Sequence, residues 1–245
     1  MKLLPTLTLI SILLVIAWNY AVNAMPLNGI TSGEVSALYP TLITPAGYAF
    51  SIWGIIYIGL LSFGIFQILP AAQNASDIAL ENRDFIRKML LINMLGNALW
   101  LLAFHYQYIG ASVLVMLSIL GTLLLIHLRL SEAVFPAWVN WAFQIYFGWI
   151  TVATVVNVSV LFYTLNIFDN SSTTWLIVML IVAMLIGGWL MWNFKAYAYL
   201  GVLIWAFIAI GVKLNGDFPA STYAYWPWAM SGLMTMSIII RLFRP

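Results

Sequence analysis

The chain contains no cysteine, and only 7% of its 245 residues are charged. The absence of cysteine excludes disulfides, thiolate metal sites and a cysteine nucleophile. A soluble domain has roughly 25% charged and 45–50% apolar residues, whereas 64% of this chain is hydrophobic. No soluble fold buries that much apolar surface, so the sequence predicts an integral membrane protein surrounded by the lipid bilayer. The formal net charge of +2 is too small to predict a nucleic-acid partner.

Ionisable groups are scarce within the long apolar segments. Glu132, Asp169 and Asp217 fall at segment ends or in loops, so proton-coupled transport and two-carboxylate hydrolysis lack their usual groups. The only histidines, His105 and His127, lie toward opposite ends of two successive segments, and the helical rise from Gly110 to His127 alone is about 26 Å. No phosphate loop, nucleotide fingerprint or nucleophile elbow occurs. We therefore expect no catalytic residue, no metal site and no required cofactor, and we favour a non-enzymatic function.

Long apolar runs dominate the rest of the chain. A helix needs about 20 apolar residues to cross a bilayer, and eight segments qualify: 5–24, 47–69, 86–106, 110–130, 136–163, 174–193, 196–213 and 223–241. The first could be a signal peptide cleaved after Val22-Asn-Ala24, but its long apolar run favours retention of residues 1–24 as a spanning helix. The sequence thus predicts an all-α polytopic membrane protein with about eight transmembrane helices.

The distribution of lysine and arginine predicts the orientation. With eight spans and a cytoplasmic N-terminus, Lys213 alone lies outside, and the other basic residues lie inside: Lys2, Arg83, Arg87, Lys88, Arg129, Lys195, Arg241 and Arg244. This asymmetry predicts a multi-pass protein of the cell membrane (plasma or inner) with both termini in the cytoplasm. The polar loop 25–46 then faces outward, and the other long connection, 70–85, holds the main cluster of charged residues.

Three segments carry aromatic side chains, and in two cases amides, on one helical face within about 60° to 100° of arc. The candidate ligand-binding residues on these faces are Phe50, Trp53, Tyr57, Asn97, Trp100, Tyr146, Trp149, Ala153 and Asn157. The small residues Gly96 and Gly148 would let a backbone or a flat ligand approach closely. Faces that meet would form a pocket for a flat hydrophobic molecule. The alternative is that the amides bond only to neighbouring helices and the aromatic rings only pack.

The same segments match known motifs. The run Gly47-Tyr-Ala-Phe-Ser-Ile-Trp-Gly-Ile-Ile-Tyr57 resembles W-V-F-G-P-V-W-x-x-L-Y, and Gly96-Asn-Ala-Leu-Trp100 resembles L-N-A-L-W. The run Tyr146-Phe-Gly-Trp-Ile-Thr-Val-Ala-Thr-Val-Val-Asn157 resembles P-Y-L-A-W-x-x-F-A-T-x-L-N. In this order the motifs resemble those of the TspO/MBR family, also called tryptophan-rich sensory protein or, in animals, translocator protein (peripheral benzodiazepine receptor). The resemblance covers residues 47–166.

This resemblance implies a five-helix membrane bundle in residues 1–168, with external loop 25–46, followed by three additional transmembrane helices in residues 169–245. It implies a ligand cavity near that loop and a tetrapyrrole ligand such as a porphyrin or haem. It also implies that the protein can form a homodimer, as family members often do. By the positions of the motifs, the resemblance implies that the ligand pocket is lined by Trp53, Asn97, Trp100, Trp149, Ala153 and Asn157, with Tyr57 beside them. Val158 replaces the tyrosine of the animal cholesterol motif, so sterol recognition is not expected. The additional helices would cover one face of the bundle and alter the usual dimer.

The leading hypothesis is therefore a membrane protein that binds a flat hydrophobic ligand, for sensing, regulation or transport. Three alternatives stay open. A structural or assembly protein would use the same aromatic side chains only for packing. A secondary transporter fits the number of helices, but the sequence has no matching pair of broken helices and no carboxylate for a coupling ion. An intramembrane enzyme would need Trp149 or Trp53 as a photochemical partner of the ligand.

Overall fold

The computed structural model describes residues 3–72, 74–167, 172–219 and 221–243. The α-helices in this part of the chain are α1 (Leu3–Ala24), α2 (Ser32–Ala37), α3 (Ile52–Phe66), α4 (Asp77–His105), α5 (Ile109–Arg129), α6 (Ala137–Thr164), α7 (Thr173–Phe194), α8 (Tyr197–Asp217) and α9 (Tyr225–Phe243). A 3₁₀ turn at Gly47–Ser51 leads directly into α3. No strand occurs within the described ranges, so the predicted all-α fold class is confirmed.

Among the described residues, seven helices are long and apolar enough to cross a membrane: α1, α3 with its preceding 3₁₀ turn, α4, α5, α6, α7 and α8. The chain is thus a polytopic membrane protein. The eighth predicted span, 223–241, corresponds to helix α9. This helix opens with Tyr225-Trp-Pro-Trp228 and carries Arg241 in its last turn, and it is not among the helices apolar enough to cross a membrane. Length and composition therefore identify seven spans among the described residues, and the crossing of the membrane by α9 stays a prediction.

Helix α4 begins at Asp77, well before the predicted start at residue 86. The side-chain oxygen of Ser76 accepts a hydrogen bond from the backbone N–H of Ala79 at 3.3 Å, which satisfies one of the free donors at the helix start. Asp77 follows in the first turn, where a negative charge favours the positive end of the helix dipole. Most of the charged segment predicted as a connection is therefore helical, because its cap and first-turn carboxylate stabilise a helix that hydropathy alone does not detect.

Contacts divide the chain into two compact units. The first unit comprises Met1–Ala37 and Trp53–Phe143, and the second comprises Leu38–Ile52 and Gln144–Pro245. The predicted domain boundary at residues 168 and 169 lies outside the described residues. In the second unit, the three C-terminal helices are joined by most of α6 and by the segment before α3.

In the first unit, Arg83 joins the beginning of α4 to two turns. Its buried guanidinium donates hydrogen bonds to the carbonyl oxygens of Ala133 (2.9 Å), Ala72 (2.6 Å) and Val134 (2.7 Å). It also lies over the Phe135 ring, 4.9 Å from the ring centroid. A buried cation is costly unless it is hydrogen-bonded, and here each of the three guanidinium nitrogens donates to one carbonyl. Arg83 therefore fixes the turn between α5 and α6 against the start of α4.

Helices of the first unit approach closely at glycine. A Cβ added to Gly64 of α3 would lie 2.8 Å from Leu9 Cδ1 and 3.2 Å from Ile12 Cδ1 of α1. A Cβ added to Gly96 of α4 would lie 2.8 Å from Ile119 Cγ1 of α5. Small residues allow such contacts between helices in lipid, where association depends on packing and interhelical hydrogen bonds.

In the second unit, α8 packs tightly on α6. A Cβ at Gly148 would lie 2.9 Å from the carbonyl oxygen of Tyr199 and 3.0 Å from Val202 Cβ. One turn further along α6, the buried Tyr199 hydroxyl donates a hydrogen bond to Thr151 Oγ1 at 2.9 Å. Gly187 of α7 meets side chains of α8, and Gly211 of α8 meets the Trp228 ring of α9. The C-terminal helices thus form a packed group with α6.

Replacing Gly148 with alanine should destabilise the protein, because the new Cβ meets a backbone oxygen that cannot move aside. Overpacking of this kind costs about 1–3 kcal/mol. The matched control is Gly201→Ala in α8, where no side chain or neighbouring helix of the described residues lies within 4 Å of the added Cβ, and where alanine should be neutral or stabilising by up to about 1 kcal/mol. Thermal unfolding in detergent, followed by circular dichroism, measures both. Equal melting temperatures for the two variants would contradict the close contact.

Candidate functional site

The predicted site residues are divided between the two units. The first unit holds Trp53, Tyr57, Asn97 and Trp100, and the second holds Phe50, Tyr146, Trp149, Ala153 and Asn157. Each group is therefore described within its own unit. The meeting of all three helical faces around one pocket stays a prediction.

The aromatic residues of the first unit form two stacked pairs. The Trp53 and Tyr57 rings lie 5.4 Å apart with an interplanar angle of 29°. The Trp100 and Phe104 rings lie 4.9 Å apart at 15°. Each pair is separated by one helical turn, as the spacing predicts. Trp53, Tyr57 and Trp100 are all partly exposed, so each pair presents aromatic surface rather than being enclosed by its own unit.

The amides of α4 take part in helix packing. Asn93 donates hydrogen bonds from Nδ2 to the Ile119 carbonyl oxygen at 3.1 Å and to Thr122 Oγ1 at 2.8 Å, both on α5. The Nδ2 group of Asn97 donates back to Asn93, to its carbonyl oxygen at 2.8 Å and to Oδ1 at 3.0 Å. Asn93 thus bonds a neighbouring helix, and it also orients the amide of Asn97.

In the second unit, residues of two different motifs come together. The Phe50 and Trp149 rings meet edge to face, with centroids 5.6 Å apart and an interplanar angle of 86°. Trp149 is only 2% exposed, whereas Phe50 is 43% exposed. Tyr146 and Asn157 are buried and Ala153 is partly exposed. The backbone at Gly148 is covered by α8, so this small residue admits a helix rather than a flat ligand.

Helix α8 supplies contacts that the sequence did not predict. The backbone N–H of Ala46 donates to the carbonyl oxygen of Ala209 at 3.1 Å, and Trp205 Nε1 donates to the carbonyl oxygen of Ala49 at 3.3 Å. The Tyr48 ring lies edge-on to the Trp205 ring, 5.2 Å away. These contacts hold the segment before α3 on α8 and so place Phe50. Trp205 lies in no recognised motif, and its aromatic character was the only signal.

The loop after α1 is attached to the end of α4 at His105, which is fully buried. Its Nδ1 lies 2.8 Å from the Leu101 carbonyl oxygen, and its Nε2 lies 3.4 Å from Ser32 Oγ of α2. A carbonyl can only accept, so Nδ1 carries a proton. His105 thus has a structural role in this unit, because it joins the end of α4 to α2.

At the start of α2, hydrogen bonds from the backbone N–H and the hydroxyl of Thr31 hold the pKa of Glu34 below its usual range.

Substituting Asn93 should weaken the packing of α4 on α5. Asn93→Leu removes two interhelical hydrogen bonds and should lower the unfolding free energy by about 0.6–1.7 kcal/mol, which are the average and the largest values measured for such bonds in a membrane protein. The matched control is Asn193→Leu, since Asn193 is exposed and its side chain donates to the Trp189 carbonyl of its own helix rather than to a neighbouring helix of the described chain. Thermal unfolding in detergent measures both. A loss at Asn193→Leu equal to or larger than that at Asn93→Leu would argue against the interhelical role.

Comparison with protein families matches residues 5–240 to the family described as TSPO-like protein. No curated protein and no solved structure matches the chain significantly. The matched range includes nearly all of α1 and of α9. It therefore extends over the three C-terminal helices, in which the sequence shows no motif of its own.

Proposed function

The chain belongs to the TSPO-like protein family, and on that premise we propose that it binds a flat hydrophobic ligand, a tetrapyrrole such as a porphyrin or haem. Binding would serve sensing, regulation or transport, and the proposal includes no covalent step. It also includes the homodimer that the family resemblance implies, which light scattering in detergent would test.

The contact between Phe50 and Trp149 carries this proposal. The two residues come from two separate motifs and meet edge to face. Because Trp149 is buried and Phe50 is partly open to its surroundings, the buried ring holds the more exposed ring in a defined orientation. Aromatic rings favour stacked and edge-to-face arrangements, and this preference adds about 0.5–1.5 kcal/mol to the burial of their area. An oriented, exposed ring is a suitable surface for a flat conjugated ligand.

A structural or assembly function is the second candidate. It is favoured by the amides and glycines of the predicted faces, because Asn93 bonds α5 and Gly148 is covered by Tyr199. A protein of this kind would use its aromatic side chains only for packing, and it would show no saturable binding of a porphyrin.

Protoporphyrin IX should bind the purified protein saturably, as followed by its absorbance or by quenching of tryptophan fluorescence. Phe50→Leu and Trp149→Leu should each weaken binding about ten-fold, which corresponds to the loss of roughly 1.4 kcal/mol of aromatic contact. Phe50 is the gentler test because much of its ring is exposed, whereas truncation at the buried Trp149 also affects packing.

The matched control for this binding experiment is Trp141→Leu. Trp141 lies on α6 like Trp149, but it is 61% exposed and is not one of the predicted ligand residues. Its substitution should leave the dissociation constant unchanged. Quenching that never saturates, or equal weakening at Trp141 and at both site residues, would refute the proposed function and favour the structural alternative.

We further propose that the protein lies in the cell membrane with both termini in the cytoplasm, with α9 as the eighth span. Arg83 supports the assignment of two basic segments, the start of α4 and the end of α5, to the same side of the membrane. It donates hydrogen bonds to the carbonyl oxygens of Ala133 and Val134 and so places these two helix ends beside each other. Lys213 lies four residues before the end of α8, toward the side assigned to loop 25–46. Lys2 and Arg244, which the orientation also uses, lie outside the described residues.

Single cysteines test this orientation without background, because the natural chain has none. Met25→Cys lies in the loop assigned to the external face, and Asn74→Cys lies in the connection assigned to the cytoplasm; both positions are exposed. A membrane-impermeant maleimide should label Met25→Cys in intact cells and Asn74→Cys only after lysis. The reverse pattern would show that the orientation is inverted.

A further inference from the structure

Lys213 is an ionisable residue near the C-terminal end of the spanning helix α8. It is the only basic residue between Lys195 and Arg241, and it is partly buried. Trp205, Ala209 and Lys213 follow one another at intervals of four residues, so they share one face of α8. This is the face that holds the segment before α3, through Trp205 to Ala49 and through Ala209 to Ala46.

The charge of Lys213 is not neutralised by direct contact within the described part of the chain. The ion pairs in that part of the chain join Arg87 to Asp84 and Arg129 to Glu132. Asp217, one turn after Lys213, is exposed, and no ion pair joins the two side chains in this part of the chain. An ionisable side chain in a membrane-spanning helix is costly, and it usually marks a ligand or ion pathway.

Lys213 lies on the helix that holds the aromatic residues Tyr48 and Phe50 of the second unit in place. Segment 46–49 runs along α8 so that Ala49 lies by Trp205 and Ala46 lies by Ala209. Lys213 follows Ala209 by one turn, about 6 Å along the helix axis. Phe50 and Tyr48, both exposed, extend from the end of this segment that lies by Trp205, which is two turns, about 12 Å, from Lys213 along the axis of α8. The second unit therefore combines aromatic rings with one cation near the end of α8.

We propose that Lys213 binds an anionic group of the ligand, specifically a carboxylate, and thereby selects flat hydrophobic molecules that carry one. This inference rests on the proposed function, since it names the chemical class of ligand for that site. The aromatic rings contact the conjugated body of the ligand, and the ammonium donates charge-assisted hydrogen bonds to its carboxylate. A lysine that only extends toward the lipid headgroups would not distinguish a carboxylic acid from its ester.

The experiment compares two probes that differ only at the carboxylates: protoporphyrin IX and its dimethyl ester. The wild-type protein in detergent should bind the acid roughly ten-fold more tightly than the ester, the ratio expected for one hydrogen bond to a charged group. Lys213→Gln should remove that preference by weakening binding of the acid and leaving binding of the ester unchanged. Lys213→Arg, which retains the charge, should restore most of the preference.

The matched control is Lys195→Gln, the same substitution at an exposed lysine just before the other end of α8. It should retain the preference for the acid. If wild type binds both probes saturably but equally, or if Lys213→Gln retains the preference, the role of Lys213 is refuted while the proposed function stands. If wild type binds neither probe, the proposed function itself fails. The wild-type comparison needs no variant, so a misfolded Lys213→Gln protein would not prevent the test.

Discussion

The close approach of α8 to α6 at Gly148 is the constraint on which the second unit depends. Lipid provides no hydrophobic force between helices, so association requires packing at small residues and interhelical hydrogen bonds. Gly148 allows close packing against the Tyr199 backbone, and the Tyr199–Thr151 contact is an interhelical hydrogen bond. The adjacent Trp149 is buried in the same turn of α6. Since α8 also holds the segment before α3, its position determines where Phe50 meets that ring.

Most of the fold could be predicted from the sequence, because apolar length determines which segments are helices in a membrane. For example, the spans predicted at 110–130 and 174–193 correspond to the observed helices Ile109–Arg129 and Thr173–Phe194. The start of α4 could not be predicted this way, since Ser76 and Arg83 stabilise a charged segment through contacts that hydropathy ignores. The two compact units were not predicted either, because they depend on contacts between helices far apart in sequence.

The candidate site was predictable only where it is local. The stacked pairs Trp53–Tyr57 and Trp100–Phe104 follow from helical spacing alone. The contact of Phe50 with Trp149 joins residues 99 positions apart, and only the resemblance to a family linked their motifs. Trp205 was missed because a contact with Ala49, so distant in the chain, leaves no local pattern. The Asn93 amide could equally have met a ligand or a helix, and only its position opposite Thr122 decides for the helix.

The length of α4 has a consequence for the membrane around the protein. Its 29 residues extend over about 43 Å at 1.5 Å per residue. Lys88, however, is exposed on this helix, and only 17 residues follow it from Met89 to His105. That stretch covers about 26 Å, less than the roughly 30 Å of a typical hydrocarbon core. Hydrophobic mismatch therefore favours a thin bilayer around α4, and a thicker one would have to thin locally or draw the Lys88 side chain toward its headgroups.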